Sequence, residues 1–128
     1  MFEREKTRVI VVDDDAEVLK TLRKILLRRG YEVFPFESSV QAVEFLKKGK
    51  VDLILSDLKM PEMDGIQFLN RAKGLHPKTP FILITGFATL DTAISAIKWG
   101  AFDYLRKPFE VKKIYEVIDR ALKEGGRT

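Results

Sequence analysis

Short apolar runs and amphipathic segments alternate five times along this chain of 128 residues. The apolar runs are continuous and rich in β-branched and aromatic residues, a composition typical of parallel strands buried on both faces. They are Arg8 to Val12, Tyr31 to Phe36, Leu53 to Ser56, Pro80 to Thr85 and Phe102 to Arg106. Strands that alternate with helices predict an α/β fold. Its sheet would be parallel with right-handed crossovers, two helices on one face and three on the other.

Each amphipathic segment is followed by a glycine, the residue that favours the left-handed turn after a helix. These glycines are Gly30, Gly49, Gly74, Gly100 and Gly125. Two helix starts have the spacing of a capping box, Ser38 with Gln41 and Asp64 with Gln67. We therefore expect five helices, the third of which begins after Asp64 and stops at Gly74.

Composition limits the chain to one small domain. Apolar residues make up 45% of it, enough for one core at this length, and no apolar run is long enough to span a membrane. The first residues, Met1 to Arg8, lack the apolar centre of a signal peptide. The absence of cysteine excludes a disulfide scaffold and a thiolate metal site. We therefore expect one cytoplasmic domain over residues 1–128 with no membrane partner.

The net charge of +4 arises from 23 basic and 19 acidic residues that are mixed along the chain. A nucleic-acid-binding domain more often has a basic stripe with aromatic residues or a recognisable binding motif. The sequence has neither feature. Direct binding of nucleic acid by this domain is therefore not expected.

Polar residues stand where four of the five predicted strands end. They are Asp13 and Asp14 after the first strand, Asp57 after the third, Thr85 in the fourth and Lys107 after the fifth. Open α/β sheets place their chemistry at the carboxyl ends of the strands, near the point where the strand order reverses. Each residue alone has an ordinary alternative, such as a helix cap, a strand end or a solvated charge. Together they predict a site at one edge of the sheet.

Electrostatics indicates what such a site would bind. Two carboxylates ~4 Å apart repel each other by about 4 kcal/mol at an effective dielectric constant of about 20. A hard divalent cation offsets this repulsion, and Mg²⁺ prefers a few carboxylates together with water and phosphate oxygens. A lysine across the site adds a second positive charge. The predicted pocket is therefore suited to a phosphoryl group bound together with Mg²⁺.

Four segments of the sequence resemble the receiver domain of two-component response regulators. They are V-V-D-D-D at residues 11–15, S-D-L-K-M-P-E-M-D-G at 56–65, L-I-T-G at 83–86 and Y-L-R-K-P-F at 104–109. The resemblance extends from about Thr7 to Lys123. It implies one flavodoxin-like (βα)5 domain with strand order 2-1-3-4-5 and short flexible ends. The stretch from Thr85 to Leu105 resembles the receivers of enhancer-binding, σ54-type regulators.

This resemblance implies that Asp57 accepts a phosphoryl group from the phosphohistidine of a sensor histidine kinase. It also implies a Mg²⁺ site in which Asp14, Asp57 and the backbone carbonyl of Lys59 bind the ion, while Asp13 assists through water. Lys107 would pair with the phosphoryl oxygens. A domain of this family is a signalling switch rather than a general enzyme, and catalyses only its own phosphotransfer and autodephosphorylation.

The resemblance also assigns residues to the switch itself. Thr85 would donate its hydroxyl to the phosphoryl group, and Tyr104 would be the aromatic switch residue. The surface that changes would be the fourth helix, fifth strand and fifth helix. It would act on an effector domain or a partner protein. The Lys107-Pro108 bond resembles the family's cis peptide.

A phosphorylation-dependent homodimer is a further expectation. Phe102 stands where one subclass of transcription factors has an aspartate that forms salt bridges between subunits, which argues against that form of dimer. Trp99 fits either ordinary packing or a surface that binds a partner, and the sequence leaves both alternatives open.

Three other functions fit parts of the pattern. An aspartyl-phosphate phosphohydrolase also uses an aspartate at a strand end with Mg²⁺, but such enzymes resemble D-x-D there, whereas this sequence reads Asp57-Leu58-Lys59. A non-phosphorylated interaction module of the same fold is expected to lack one of the polar residues at the sheet edge, and none is lacking. A nucleotide-binding flavodoxin-like protein needs a phosphate-binding loop after the first strand. There the acidic residues would repel phosphate unless a metal intervened.

Overall fold

The predicted alternation of strands and helices is present throughout residues 6–125, the part of the chain that the structure, a computed structural model, describes. The strands are β1 (Arg8–Val12), β2 (Glu32–Phe36), β3 (Leu53–Ser56), β4 (Phe81–Thr85) and β5 (Asp103–Arg106). The helices are α1 (Ala16–Leu27), α2 (Ser39–Lys48), α3 (Gly65–Leu75), α4 (Leu90–Lys98) and α5 (Val111–Arg120). A π-helical turn, Ala121–Gly125, extends α5.

The five strands form one parallel sheet in the order β2-β1-β3-β4-β5. The predicted flavodoxin-like α/β fold and its strand order are therefore confirmed. The predicted short ends flank a core of about residues 7–123, and of these ends residues 1–5 and 126–128 lie outside the described residues. Among the helices of residues 6–125, none has the length and apolar character needed to cross a membrane.

Successive residues of β1 point to opposite faces of the sheet, and each face has its own core. On one face, Val9 and Val11 lie in a cluster with residues of α1 and α5, among them Leu22, Leu26, Ile114 and Val117. On the other face, Ile10 and Val12 lie in a cluster with residues of α2, α3 and α4, among them Val43, Leu46, Phe68 and Ala96. The predicted division into two and three helices is confirmed. Because both faces are covered, polar groups of the central strands are confined to the strand ends.

The predicted end of α3 is wrong. The helix continues through Gly74, which was expected to stop it. The turn that follows is held by a side chain, since Nε2 of His76 lies 2.7 Å from the carbonyl oxygen of Leu46 on α2. Gly30 and Gly100, in contrast, have the positive φ values of 80° and 95° that glycine permits. A tertiary contact, rather than a glycine turn, therefore fixes the chain direction after α3.

β2 forms one edge of the sheet and contains a proline. The N–H of Glu32 donates to the carbonyl of Thr7, on the β1 side of the strand. The carbonyl of Phe36 accepts from the N–H of Asp13, on the same side. Backbone groups alternate in direction along a strand, so the nitrogen of Pro35 faces away from β1. The proline therefore lies where β2 would otherwise present an outward N–H group.

Candidate functional site

The residues predicted to form a site lie at the carboxyl edge of the sheet. β1 and β3 are neighbours, with Val12 paired with Ser56, so the residues that follow them, Asp13 and Asp57, are adjacent. The N–H of Asp57 donates to the carbonyl of Val12 at 2.9 Å, which fixes this arrangement. Asp13 is 1% exposed and Asp57 is 6% exposed, whereas Asp14 is open to solvent. Two of the three carboxylates are therefore buried.

Hydrogen bonds orient the two buried carboxylates and one lysine. Asp13 Oδ1 accepts from the N–H of Asp15 at 2.9 Å, and Asp57 Oδ1 accepts from the N–H of Leu58 at 2.8 Å. Nζ of Lys107 lies 2.9 Å from Asp13 Oδ2 and 3.5 Å from Asp57 Oδ2. The Lys107-Pro108 peptide is cis, as predicted. Lys107 therefore bridges the ends of β1 and β3 from its position after β5.

Burial and charge act in opposite directions in this pocket. Burial raises the pKa of the Asp13 carboxyl, and the hydrogen bond from Lys107 reduces this effect without cancelling it. Burial by itself lowers the pKa of Lys107. The hydrogen bond to Asp13 and the attraction of Asp13 and Asp57 outweigh burial, so the pKa of Lys107 is raised. Lys107 is therefore a fixed cation at neutral pH.

The pocket fits a divalent cation. Asp13, Asp14 and Asp57 each offer a carboxylate oxygen, and these oxygens all lie within 4.8 Å of one another. Mg²⁺ prefers oxygen ligands of this kind, and a single ammonium group does not balance three carboxylates. Asp15, in contrast, caps α1 and accepts from the N–H of Glu17 at 3.0 Å. The donor set therefore suits Mg²⁺, whereas Asp15 is a helix cap.

Thr85 connects this pocket to the loop that leads to α4. The residue is fully buried at the end of β4. Its Oγ1 accepts from the N–H of Phe87 at 3.0 Å, and its carbonyl accepts from the N–H of Lys107 at 2.9 Å. The side chain therefore holds the first turn of the β4–α4 loop, while the backbone joins the ends of β4 and β5.

Known proteins share this arrangement of elements. Residues 9–119 match the family model described as response regulator receiver domain. The chain belongs to this family. It is a receiver domain of two-component response regulators, and its similarity to σ54-type regulators, expected from the sequence, is borne out by the relatives described next.

The receiver domain is 40% identical over 114 residues to the DNA-binding transcriptional regulator NtrC of Escherichia coli strain K12, a match that covers 89% of this chain and 24% of that protein. The chain thus spans about a quarter of the length of the relatives it matches. A CheY-like receiver domain from Methanospirillum hungatei JF-1 aligns with a TM-score of 0.91 at 30% identity, covering 94% of this chain and 97% of that one. The beryllofluoride-activated NtrC4 receiver domain dimer aligns with a TM-score of 0.88 at 35% identity, covering 93% and 98%.

Tyr104 of the receiver domain is partly buried and is bonded to α4. Its hydroxyl lies 2.5 Å from Oγ1 of Thr92. Thr92 also forms a reciprocal capping box with Thr89 at the start of α4. Sequence reasoning did not identify Thr92, although the three-residue spacing from Thr89 is typical of a capping box. Thr92 therefore links the predicted switch residue to the N-terminus of α4.

Five large apolar side chains are exposed along α4 and its flanks, and we call them the α4 surface. They are Phe87, Leu90, Ile94, Ile97 and Trp99. Leu90 is 76% exposed and Ile97 is 74% exposed. Contiguous apolar side chains at a surface are typical of a site that binds another protein. Trp99, at 44% exposure, belongs to this surface rather than to the core.

The start of α3 lies directly on the backbone of Asp57. The N–H of Gly65 donates to the carbonyl of Leu58 at 2.7 Å. A Cβ atom on Gly65 would lie 2.4 Å from the carbonyl oxygen of Asp57 and 2.9 Å from a methyl group of Leu83. Only glycine fits this position. Sequence reasoning did not identify this close approach, which depends on the packing of α3 against the sheet.

Proposed function

We propose that this receiver domain accepts a phosphoryl group on Asp57 from the phosphohistidine of a sensor histidine kinase. The observation that carries the proposal is the convergence of the Asp13, Asp14 and Asp57 carboxylates with Lys107 at one edge of the sheet. Membership of the receiver family supports the choice of phosphodonor.

In the proposed transfer, a carboxylate oxygen of Asp57 attacks phosphorus and forms a P–O bond. The donor imidazole is protonated on its other ring nitrogen. The P–N bond breaks, its electron pair returns to the nitrogen that carried the phosphoryl group, and the ring leaves as a neutral histidine side chain. Lys107 donates to a phosphoryl oxygen and balances part of its charge. Asp14, Asp57 and the Lys59 carbonyl would hold Mg²⁺, with Asp13 acting through water. The ion would offset the negative charge of the phosphoryl oxygens.

The domain would catalyse only its own phosphotransfer and the later hydrolysis of its acyl phosphate. A phosphohydrolase that acts on other substrates would resemble D-x-D at the nucleophile, and here the second position is Lys59. Lys59 supplies no carboxyl group at this position, and its Nζ lies 5.2 Å from the centroid of the Phe87 ring. A lysine in place of the second aspartate supports a switch rather than a phosphohydrolase.

The proposed output begins at Thr85. Its hydroxyl would turn from the Phe87 N–H to the phosphoryl group, and Tyr104 would leave Thr92 to fill the space that opens. The receiving surface would comprise the α4 surface together with β5 and α5. It would contact an effector domain or partner protein, or a second phosphorylated copy. A single cytoplasmic domain, with a core from about residue 7 to residue 123, would perform these steps.

Phosphorylation in vitro tests the assignment of Asp57. Incubation with acetyl phosphate and Mg²⁺ should add one acid-labile phosphoryl group, measured by intact-mass spectrometry. Asp57→Asn should abolish the addition because the amide is a poor nucleophile. Asp52→Asn is the matched control, since Asp52 is exposed at the other end of the same strand.

Labelling of the Asp57→Asn protein to the wild-type level would show that another residue is the acceptor. Loss of labelling in Asp52→Asn as well would indicate a general effect on the fold instead of a specific nucleophile.

A further inference from the structure

The loop between β3 and α3 contains a turn with unusual backbone geometry. Glu62 has a φ of 68°, in the left-handed region that side chains other than glycine rarely adopt. The N–H of Met63 donates to the carbonyl of Pro61 at 2.7 Å, which closes a three-residue turn around Glu62. A γ-turn with positive φ at a residue bearing a side chain is rare and strained. Contacts outside the turn must therefore hold it.

One such contact comes from α2. The hydroxyl of Ser39 donates to the carbonyl of Met63 at 2.6 Å. Ser39 is the first residue of α2 and is 1% exposed. The cap of this helix is a different residue, Ser38, whose Oγ accepts from the N–H of Gln41 at 3.3 Å. The Ser39 hydroxyl is therefore not used to begin its own helix and is directed at the turn.

The turn belongs to a loop that is closed at both ends. The loop starts at the Asp57 backbone, and the Gly65 N–H returns to the Leu58 carbonyl at 2.7 Å. Lys59 lies between this closure and the turn at Glu62. The Lys59 carbonyl therefore belongs to the same closed loop as the turn, three residues before Glu62.

We propose that Ser39 is a positioning residue for the metal site, because its hydroxyl holds the strained turn at Glu62 and thereby orients the backbone carbonyl of Lys59. This inference rests on the proposed function, in which that carbonyl is a ligand of Mg²⁺. Ser39 itself touches neither the ion nor the phosphoryl group. Mutation of a residue that orients a metal ligand without touching the ion typically weakens metal binding by about 10- to 100-fold.

The Ser39→Ala variant tests this role through two measurements that do not require activity. Mg²⁺ affinity, measured by isothermal titration calorimetry, should weaken by about tenfold. In metal-free protein, hydrogen exchange at the Met63 and Gly65 amides should accelerate, because the turn is no longer held. Ser38→Ala is the matched control. It should lower the melting temperature by removing the cap of α2, but should leave Mg²⁺ affinity at the wild-type value.

A second variant separates positioning from a general loss of packing. Glycine adopts a φ of 68° without strain, so Glu62→Gly should make the turn independent of the Ser39 hydroxyl. The Ser39→Ala/Glu62→Gly double variant should therefore recover most of the Mg²⁺ affinity that Ser39→Ala loses. A merely structural role of Ser39 predicts no recovery, since the vacated space beside Met63 remains.

Three results would overturn the inference: wild-type Mg²⁺ affinity in Ser39→Ala, equal loss of affinity in Ser38→Ala, or no recovery in the double variant. A failure of the proposed function has a different signature, namely no Mg²⁺ binding by the wild-type protein. That result would also remove the metal-positioning role. The exchange rates in metal-free protein would still decide whether Ser39 holds the turn.

Discussion

Asp13 combines nearly complete burial with an acidic charge. Its carboxylate loses hydration at the end of β1, and the bonds from Lys107 and from the Asp15 N–H compensate only in part. Burial outweighs these two bonds, so the pKa of Asp13 is raised. An ionised Asp13 therefore destabilises the metal-free fold, and a cation in the pocket would reverse that effect.

Asp13→Asn should raise the melting temperature in EDTA at pH 7, because the amide keeps the acceptor for Asp15 and has no charge to desolvate. The folded pKa of Asp13 lies above about 3.9, the value in an unfolded chain. Between the pKa of Asp13 in the unfolded chain and its higher pKa in the folded protein, the folded protein holds more protons. The wild type therefore loses stability as pH rises through this interval. The advantage of the variant should therefore grow as pH rises above about 4 and become constant once Asp13 is ionised in the folded protein. Thermal unfolding in EDTA across this range measures the effect.

Titration of Lys107 does not contribute to this pH dependence, because its pKa is raised and its charge is lost only in alkaline solution. Mg²⁺ should stabilise the wild type more than the variant, since the ion binds the folded state. An advantage in EDTA that does not change with pH would contradict the assignment of the cost to the Asp13 charge.

The sequence was sufficient to place the polar residues of the pocket at one edge. Strand ends in a parallel sheet share that edge, so position along the chain predicts position in space for Asp13, Asp57 and Lys107. The sequence could not predict the hydrogen bond between Tyr104 and Thr92, because that contact depends on the distance between α4 and β5. The chemical roles assigned to these residues remain predictions.

Among the elements, α3 has the tightest link to the pocket. Its N-terminus is held by both bonds of the capping box between Asp64 and Gln67, which the sequence predicted. Its first residue, Gly65, lies too close to the Asp57 backbone for any side chain. The first residue of the helix therefore contacts the backbone of the proposed nucleophile and fixes its position.

Two glycine substitutions in α3 should have opposite effects. Gly65→Ala should destabilise the domain by about 1–3 kcal/mol, because the methyl group must displace the Asp57 backbone. Gly74→Ala should stabilise it by up to about 1 kcal/mol, because alanine favours helix and the site has open space. Urea unfolding of both variants measures the difference. A destabilising Gly74→Ala, or a neutral Gly65→Ala, would contradict this description of α3.

Strands were easier to predict than helix ends. The predicted strands agree with the observed ones to within one residue, because runs such as Leu53 to Ser56 are apolar throughout and end at polar residues. The sequence did not predict the end of α3, because a glycine ends a helix only where the following turn needs a positive φ. The bond from His76 to Leu46 makes another turn possible, and sequence spacing does not reveal it.

At the scale of the whole molecule, two hydrogen bonds connect the sheet with the start of the α4 surface. One joins Thr85 to the Phe87 N–H, and the other joins Tyr104 to Thr92. Thr85 ends β4 at the carboxyl edge of the sheet, and the two bonded partners, Phe87 and Thr92, lie in the loop before α4 and in its first turn. A phosphoryl group that competes for the Thr85 hydroxyl would thus act on the loop before α4.

Beryllofluoride, which mimics the phosphoryl group, should therefore change Trp99 fluorescence and hydrogen exchange of the amides from Gly86 to Tyr104. Thr85→Val should reduce both responses when each protein is saturated with the mimic, because valine has no hydroxyl to move. Thr79→Val is the control, since that hydroxyl bonds the Val51 carbonyl at the opposite edge of the sheet. Changes confined to the loops around Asp14 and Asp57 would show that the α4 surface is not the output.

Pro35 on β2 restricts how other chains can associate with this domain. An open sheet edge invites another strand to pair with it and continue the sheet, in functional complexes and in aggregates alike. At Pro35 the outward position has no N–H to offer, so an added strand would lose a hydrogen bond there. A partner that approaches this side would therefore have to recognise side chains, and lateral growth of the sheet through β2 is disfavoured.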